Sequence, residues 1–201
     1  MNRRMSLEHV RELQQCVSTF YATSRRKMDD ARGCNLPEYC LSEKCDWKAI
    51  DFDSVQHKWY ANVREQTGKM PCSVDAICLA RGNIYAVEFK CGKNIDGPNL
   101  FRKIYDTVMG FIEHAGLNFE ACRQQIVYVV VAPLKNDEYV ISRVNRYINR
   151  PWENPRNGWD RWKLSSLCGV IVRQTIVLPP ELFSDFARAE NLTTNDWGIE
   201  Q

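Results

Sequence analysis

The chain has 201 residues, enough for one domain with a sizeable core. Hydrophobic residues make up 44% and charged residues 26%, a balance that excludes wholesale disorder. Lys and Arg number 27 against 25 acids, so a polyanionic partner has to be held by a local surface and not by net charge. The basic start Met1 to Met5 is followed by no apolar run, and neither a signal peptide nor a membrane span is expected. Nine cysteines without a regular framework point to reduced thiols and a cytoplasmic location.

In chain order, Ser6 caps a predicted helix over 6–27 whose apolar stripe is Val10, Leu13, Val17 and Phe20. Residues 28–53, with a Gly, a Pro and three cysteines, read as a long irregular connection. From Ser54 the recurrence of Val55, Trp59 and Val63 predicts a second helix. The period then changes: Cys72–Ala80 and Ile84–Cys91 read as a β-hairpin turning at Gly82-Asn83.

Gly92–Asn99 is a polar loop, and Leu100, Ile104, Val108, Phe111 and Ala115 form the stripe of a third helix that Gly116 ends. The β-branched run Ile126–Val131 fits a strand covered on both faces. A helix over Asp137–Tyr147, a loop over Pro151–Trp162, a strand over Cys168–Leu178 and a closing helix over Glu181–Glu190 complete the reading. The order predicts a single domain over 1–201, with a mixed sheet flanked by helices.

The chemistry concentrates in the hairpin. Glu88 and Lys90 are two apart on one strand and share a face. With Gly82-Asn83 as the turn, Ile77 falls opposite Glu88 and Asp75 opposite Lys90, which brings all three charged side chains onto one patch. Two carboxylates repel at short range, and a hard divalent cation relieves this by taking oxygens from both. Such a cation beside a lysine suits phosphodiester hydrolysis. Asp75 and Lys90 also fit a plain cross-strand ion pair on a solvated face.

Asp75 with Glu88-Phe89-Lys90, set in this order of helix, hairpin, helix and strand, resembles the core of the PD-(D/E)XK nuclease superfamily over roughly residues 54–133. The resemblance implies a restriction-endonuclease-like α/β fold with an αβββαβ-type core, preceded by the helix over 6–27 and followed by an extension over 134–190. It implies Mg2+ or Mn2+ bound by Asp75, Glu88 and the Phe89 main-chain carbonyl, with Lys90 as the catalytic lysine. It also implies an endonuclease acting on nucleic acid, DNA ahead of RNA, of the restriction, repair or defence kind. Symmetric homodimers are frequent among such enzymes. Val74 stands where the motif has proline, a position that is not a ligand. Many members carry a further acid on an upstream helix, for which Glu12, Asp53 and Glu65 are candidates.

Lys93, in the loop leaving the motif strand, and Lys103, on the next helix, are candidate phosphate contacts. Arg143, Arg146 and Arg150 recur along one predicted helix, which fits a solvated face or a basic stripe for phosphates. Trp152, Trp159 and Trp162, interleaved with Arg156, Arg161 and Lys163, fit core or loop-anchoring tryptophans and are also candidate stacking residues. Cys34, Cys40 and Cys45 lack the Cys-x-x-Cys pair of a zinc or iron–sulfur site.

Overall fold

Alternation along the central strands sorts their side chains between two helical layers, and this sorting positions the site. The computed structural model describes residues 13, 15–19, 47–90, 95–132 and 162–192. Within them lie β1 (Val17–Thr19), β2 (Lys48–Asp51), α1 (Phe52–Trp59), α2 (Ala61–Thr67), β3 (Ala76–Ala80) and β4 (Asn83–Phe89). There follow α3 (Gly97–His114), α4 (Phe119–Gln125), β5 (Ile126–Val131), β6 (Gln174–Leu178) and α5 (Pro180–Ala189). The six described strands form one sheet in the order β1-β2-β3-β4-β5-β6. Neighbours are antiparallel from β1 to β4 and parallel from β4 to β6.

The predicted mixed α/β architecture is therefore present. β5 is buried at every position between β4 and β6, as its unbroken β-branched run requires. On β4, Tyr85 and Phe89 face α5, where their rings meet Phe186 and Phe183. The even positions face α3: Glu88 meets Lys103, and Tyr128, paired with Ala86, donates its hydroxyl hydrogen to the Leu100 carbonyl. The stripe expected on α3 is buried throughout. Phe111 from it stacks on Phe52 of α1 at 5.1 Å.

Several boundaries differ from the sequence reading. Val17, expected on a helix over 6–27, lies in β1 opposite Ile50 of β2. Leu13 is helical and buried, but Val-Ser-Thr is a weak helix former, and pairing with β2 captures it. β2 itself lies inside the stretch expected to be irregular, because its burial is set by the sheet and not by local composition. The helix expected from Ser54 starts at Phe52, capped by Asp51, whose carboxylate accepts from Ser54 N–H at 3.3 Å and from the Ser54 hydroxyl at 2.6 Å. It breaks at buried Tyr60, so Val63 falls on the exposed α2 and leaves the apolar stripe.

The hairpin turns at Arg81-Gly82, with φ of 51° and 73°, and not at Gly82-Asn83. Two successive left-handed residues match the twist of a two-residue hairpin. α4, capped by Asn118 through the Ala121 N–H at 2.8 Å, is too short for a periodicity to reveal it. The strand expected over Cys168–Leu178 is confined to Gln174–Leu178, after a 3-10 turn over Leu164–Leu167. The helix expected over Asp137–Tyr147 and most of the loop over 151–162 lie outside the described residues. Among the described residues, no helix is long and apolar enough to cross a membrane.

Candidate active site

Moving the turn by one residue shifts the hairpin pairing by two, so the faces are preserved. Ala76 pairs with Val87, and one further step sets Asp75 beside Glu88, not beside Lys90 as the sequence reading had it. The patch of charges nonetheless forms, tighter than expected for the two acids. Asp75 stands just ahead of β3, where its Oδ2 accepts the Phe89 N–H of β4 at 2.7 Å. α3 fixes the approach to it: Asp106 accepts from Cys72 N–H at 2.8 Å, and Thr107 from Val74 N–H at 3.1 Å.

Lys103 completes the arrangement. It is one helical turn from Thr107 on the side of α3 that covers the sheet, and it is buried with only 8% of its surface exposed. Its Nζ lies 3.2 Å from Asp75 Oδ1 and 2.7 and 2.8 Å from the two oxygens of Glu88. From the sequence Lys103 is a helix-surface lysine and a candidate phosphate contact; the structure makes it the bridge between the two acids. Lys90 approaches Glu88 Oε1 at 2.8 Å from a more exposed position, and its Nζ also donates to Asn99 Oδ1 at 3.2 Å. Asn99, in the first turn of α3, escaped the sequence reading. Its one signal was its place at the end of the polar loop that follows the motif strand.

Glu88 has no exposed surface, and its protonation reflects that. Burial and the neighbouring Asp75 charge push its carboxyl from 4.5 up to about 7, against the pull of Lys103 and Lys90. Burial by itself would lower the Lys103 ammonium, but the Glu88 and Asp75 carboxylates outweigh it and hold the group above its usual value. The Tyr128 hydroxyl is raised by burial and further by the same two carboxylates.

Beyond Lys103 opens a cavity of about 370 Å³, walled by Asp53, His57, Arg64, Cys72, Ser73 and Lys103 among others. Of the three candidate upstream acids, Asp53 faces this cavity, where it accepts a hydrogen bond from the Ser73 hydroxyl, and it adds to the field that raises Lys103. Glu65 is exposed on α2, and Glu12 lies outside the described residues. Among the described residues, no group of three or more His, Cys, Asp or Glu side chains is placed to hold a metal ion. The carboxylates that converge directly are the two of Asp75 and Glu88.

Phe89 contributes its main chain, its ring being turned to the α5 layer against Phe183. Trp162 is half-buried against Gly97 at the start of α3 and so serves packing; Lys163 beside it is exposed. Lys93, Cys34, Cys40, Cys45, Arg143, Arg146, Arg150, Trp152, Arg156, Trp159 and Arg161 lie outside the described residues. Compared with known proteins, the chain matches no family model, no curated protein and no solved structure.

Proposed function

We propose that the chain is a Mg2+- or Mn2+-dependent endonuclease on a restriction-endonuclease-like fold, hydrolysing phosphodiester bonds in DNA ahead of RNA. The observation that carries this reading is the convergence of Asp75 and Glu88 on one point, since a single atom lies within 3.2 Å of oxygens from both. That donor set fits a hard divalent cation, which takes one or two carboxylates and leaves its other positions to water and phosphate oxygens. Asp75 and Glu88 would hold the ion, with the Phe89 main-chain carbonyl as a further oxygen. When bound, it would polarise a phosphate oxygen and lower the pKa of a coordinated water.

The chain's own residues divide the remaining work. Lys90, steadied by Asn99 at the more exposed edge of the cluster, would orient the attacking water or offset charge growing on the phosphorane-like transition state. Asp53 is the best placed upstream acid, across the cavity from which a phosphate would enter. Lys93 and Lys103 would meet substrate phosphates.

A second reading has one observation in its favour. The two acids already have ammonium partners, so the cluster also suits a nuclease-like fold that binds nucleic acid or protein without cleaving. Incubation with Mg2+ or Mn2+ on linear, circular and single-stranded DNA and on RNA separates the two. Cleavage, together with a Mn2+-induced rise in melting temperature that Asp75→Ala abolishes, is the expected result. Nucleic-acid binding without metal-dependent cleavage would transfer the conclusion to the second reading.

A further inference from the structure

With both acids ionised, Asp75, Glu88, Lys90 and Lys103 carry formal charges that sum to zero, and three of the four are buried. A divalent ion added to the intact quartet would leave a surplus of two positive charges in a poorly solvated place, which is unfavourable. One ammonium therefore has to leave contact with the acids. Lys103 Nζ is the atom that sits at the point both carboxylates address, whereas Lys90 approaches Glu88 from the outer side. Lys103 also has somewhere to go, because the same side chain lines the 370 Å³ cavity beside Asp53, His57 and Arg64. Its four-carbon stem lets the ammonium move between these surroundings by rotamer change, with α3 in place.

We propose that Lys103 is a tethered counter-cation that keeps the acid pair together in the metal-free protein and yields that point to an incoming divalent ion, its ammonium turning into the adjoining cavity to meet a substrate phosphate. This rests on the reading of the site as metal-dependent. It deepens that reading, because the affinity for the ion is then set by competition with a side chain of the same protein. It also couples ion loading to substrate, since a phosphate in the cavity stabilises the displaced ammonium.

The test is Mn2+ binding to wild type and Lys103→Met, followed by calorimetry and by the electron paramagnetic resonance of free Mn2+. Lys103→Met is expected to bind Mn2+ roughly ten-fold more tightly or better, because the competing charge is gone. Its melting temperature is expected to fall without Mn2+ and to recover with it. Equal or weaker affinity in Lys103→Met, beside measurable binding by wild type, overturns the inference and leaves the metal-dependent reading standing. Absence of Mn2+ binding to both proteins overturns both.

Wild type offers a second measurement that does not depend on the variant folding. Acetylation of Lys103 by an amine-reactive ester, read by peptide mass, is expected to be slow without Mn2+ and faster with it. A rate that Mn2+ leaves unchanged or lowers counts against displacement.

Discussion

Phe89 donates its main-chain N–H to Asp75 Oδ2, so the strand that carries Glu88 also fixes the carboxylate beside it. Asp75 thus has a structural role beside the chemical one proposed for it. Replacement by Ala leaves the buried Phe89 N–H without its acceptor and removes one of the two carboxylates on Lys103. Asp75→Ala is expected to lose about 3 kcal/mol in urea unfolding. Asp75→Asn, which keeps an oxygen for Phe89, should lose less. Equal losses in the two variants would show that the main-chain bond contributes little.

Glu88 gives a pH signature to the metal-free protein. Its carboxyl titrates at about 7 when folded, against 4.5 as the ordinary value. Between those two values the folded chain keeps a proton that the unfolded chain has released. Stability from this group is therefore fully present below 4.5 and is lost as pH rises through about 7. The loss across the window is on the order of 3 kcal/mol at most. Glu88→Gln should flatten this slope when unfolding midpoints of the two proteins are compared over the window. A slope that survives the substitution assigns the proton to another group.

Lys90 should separate chemistry from folding. It is partly exposed, and Glu88 keeps Lys103 when Lys90 is truncated. Lys90→Ala is expected to cost less than about 1 kcal/mol of stability. Cleavage should fall by roughly 100-fold or more if its ammonium offsets charge in the transition state. Undiminished cleavage by a folded Lys90→Ala protein would remove the residue from the mechanism.

What the sequence made legible was the part governed by periodicity and parity. The apolar stripe of α3, the buried run of β5 and the shared face of Asp75 and Glu88 follow from spacings of 3.6 and 2 residues. The face survived even an error in the turn, because a hairpin with a two-residue loop changes its pairing in steps of two. Tertiary pairing was not legible: Val17 reads as helical until β2 stands beside it, and β2 has no pattern of its own. Lys103 shows a different limit. A lysine flanking an apolar stripe is ordinarily solvated, and only the acids across the sheet explain its burial.

Gly82 tests the revised turn. Its φ of 73° lies in the left-handed region, and a Cβ there would meet nothing within 4 Å. The cost of Gly82→Ala is therefore conformational, about 1 kcal/mol, without any steric clash. Chemical denaturation of the variant measures it. A neutral substitution would be hard to reconcile with a turn at Arg81-Gly82.

Gln56 marks the one place among the described residues where a buried side-chain amide meets no hydrogen-bond partner at either end. It is 1% exposed on the face of α1 that packs on α3, and neither its oxygen nor its nitrogen finds a partner there. Its Nε2 faces Gly110, where a Cβ would come within 3.3 Å. A buried amide left without hydrogen bonds costs about 1–3 kcal/mol, part of which an apolar side chain of similar shape recovers. Gln56→Met is therefore expected to stabilise the fold by about 1 kcal/mol, seen as a higher unfolding midpoint in urea at unchanged slope. Cleavage should be unaffected, since Gln56 makes no hydrogen bond to Asp75, Glu88, Lys90 or Lys103. A destabilised variant would mean that the amide supplies packing against Gly110 that a thioether cannot reproduce.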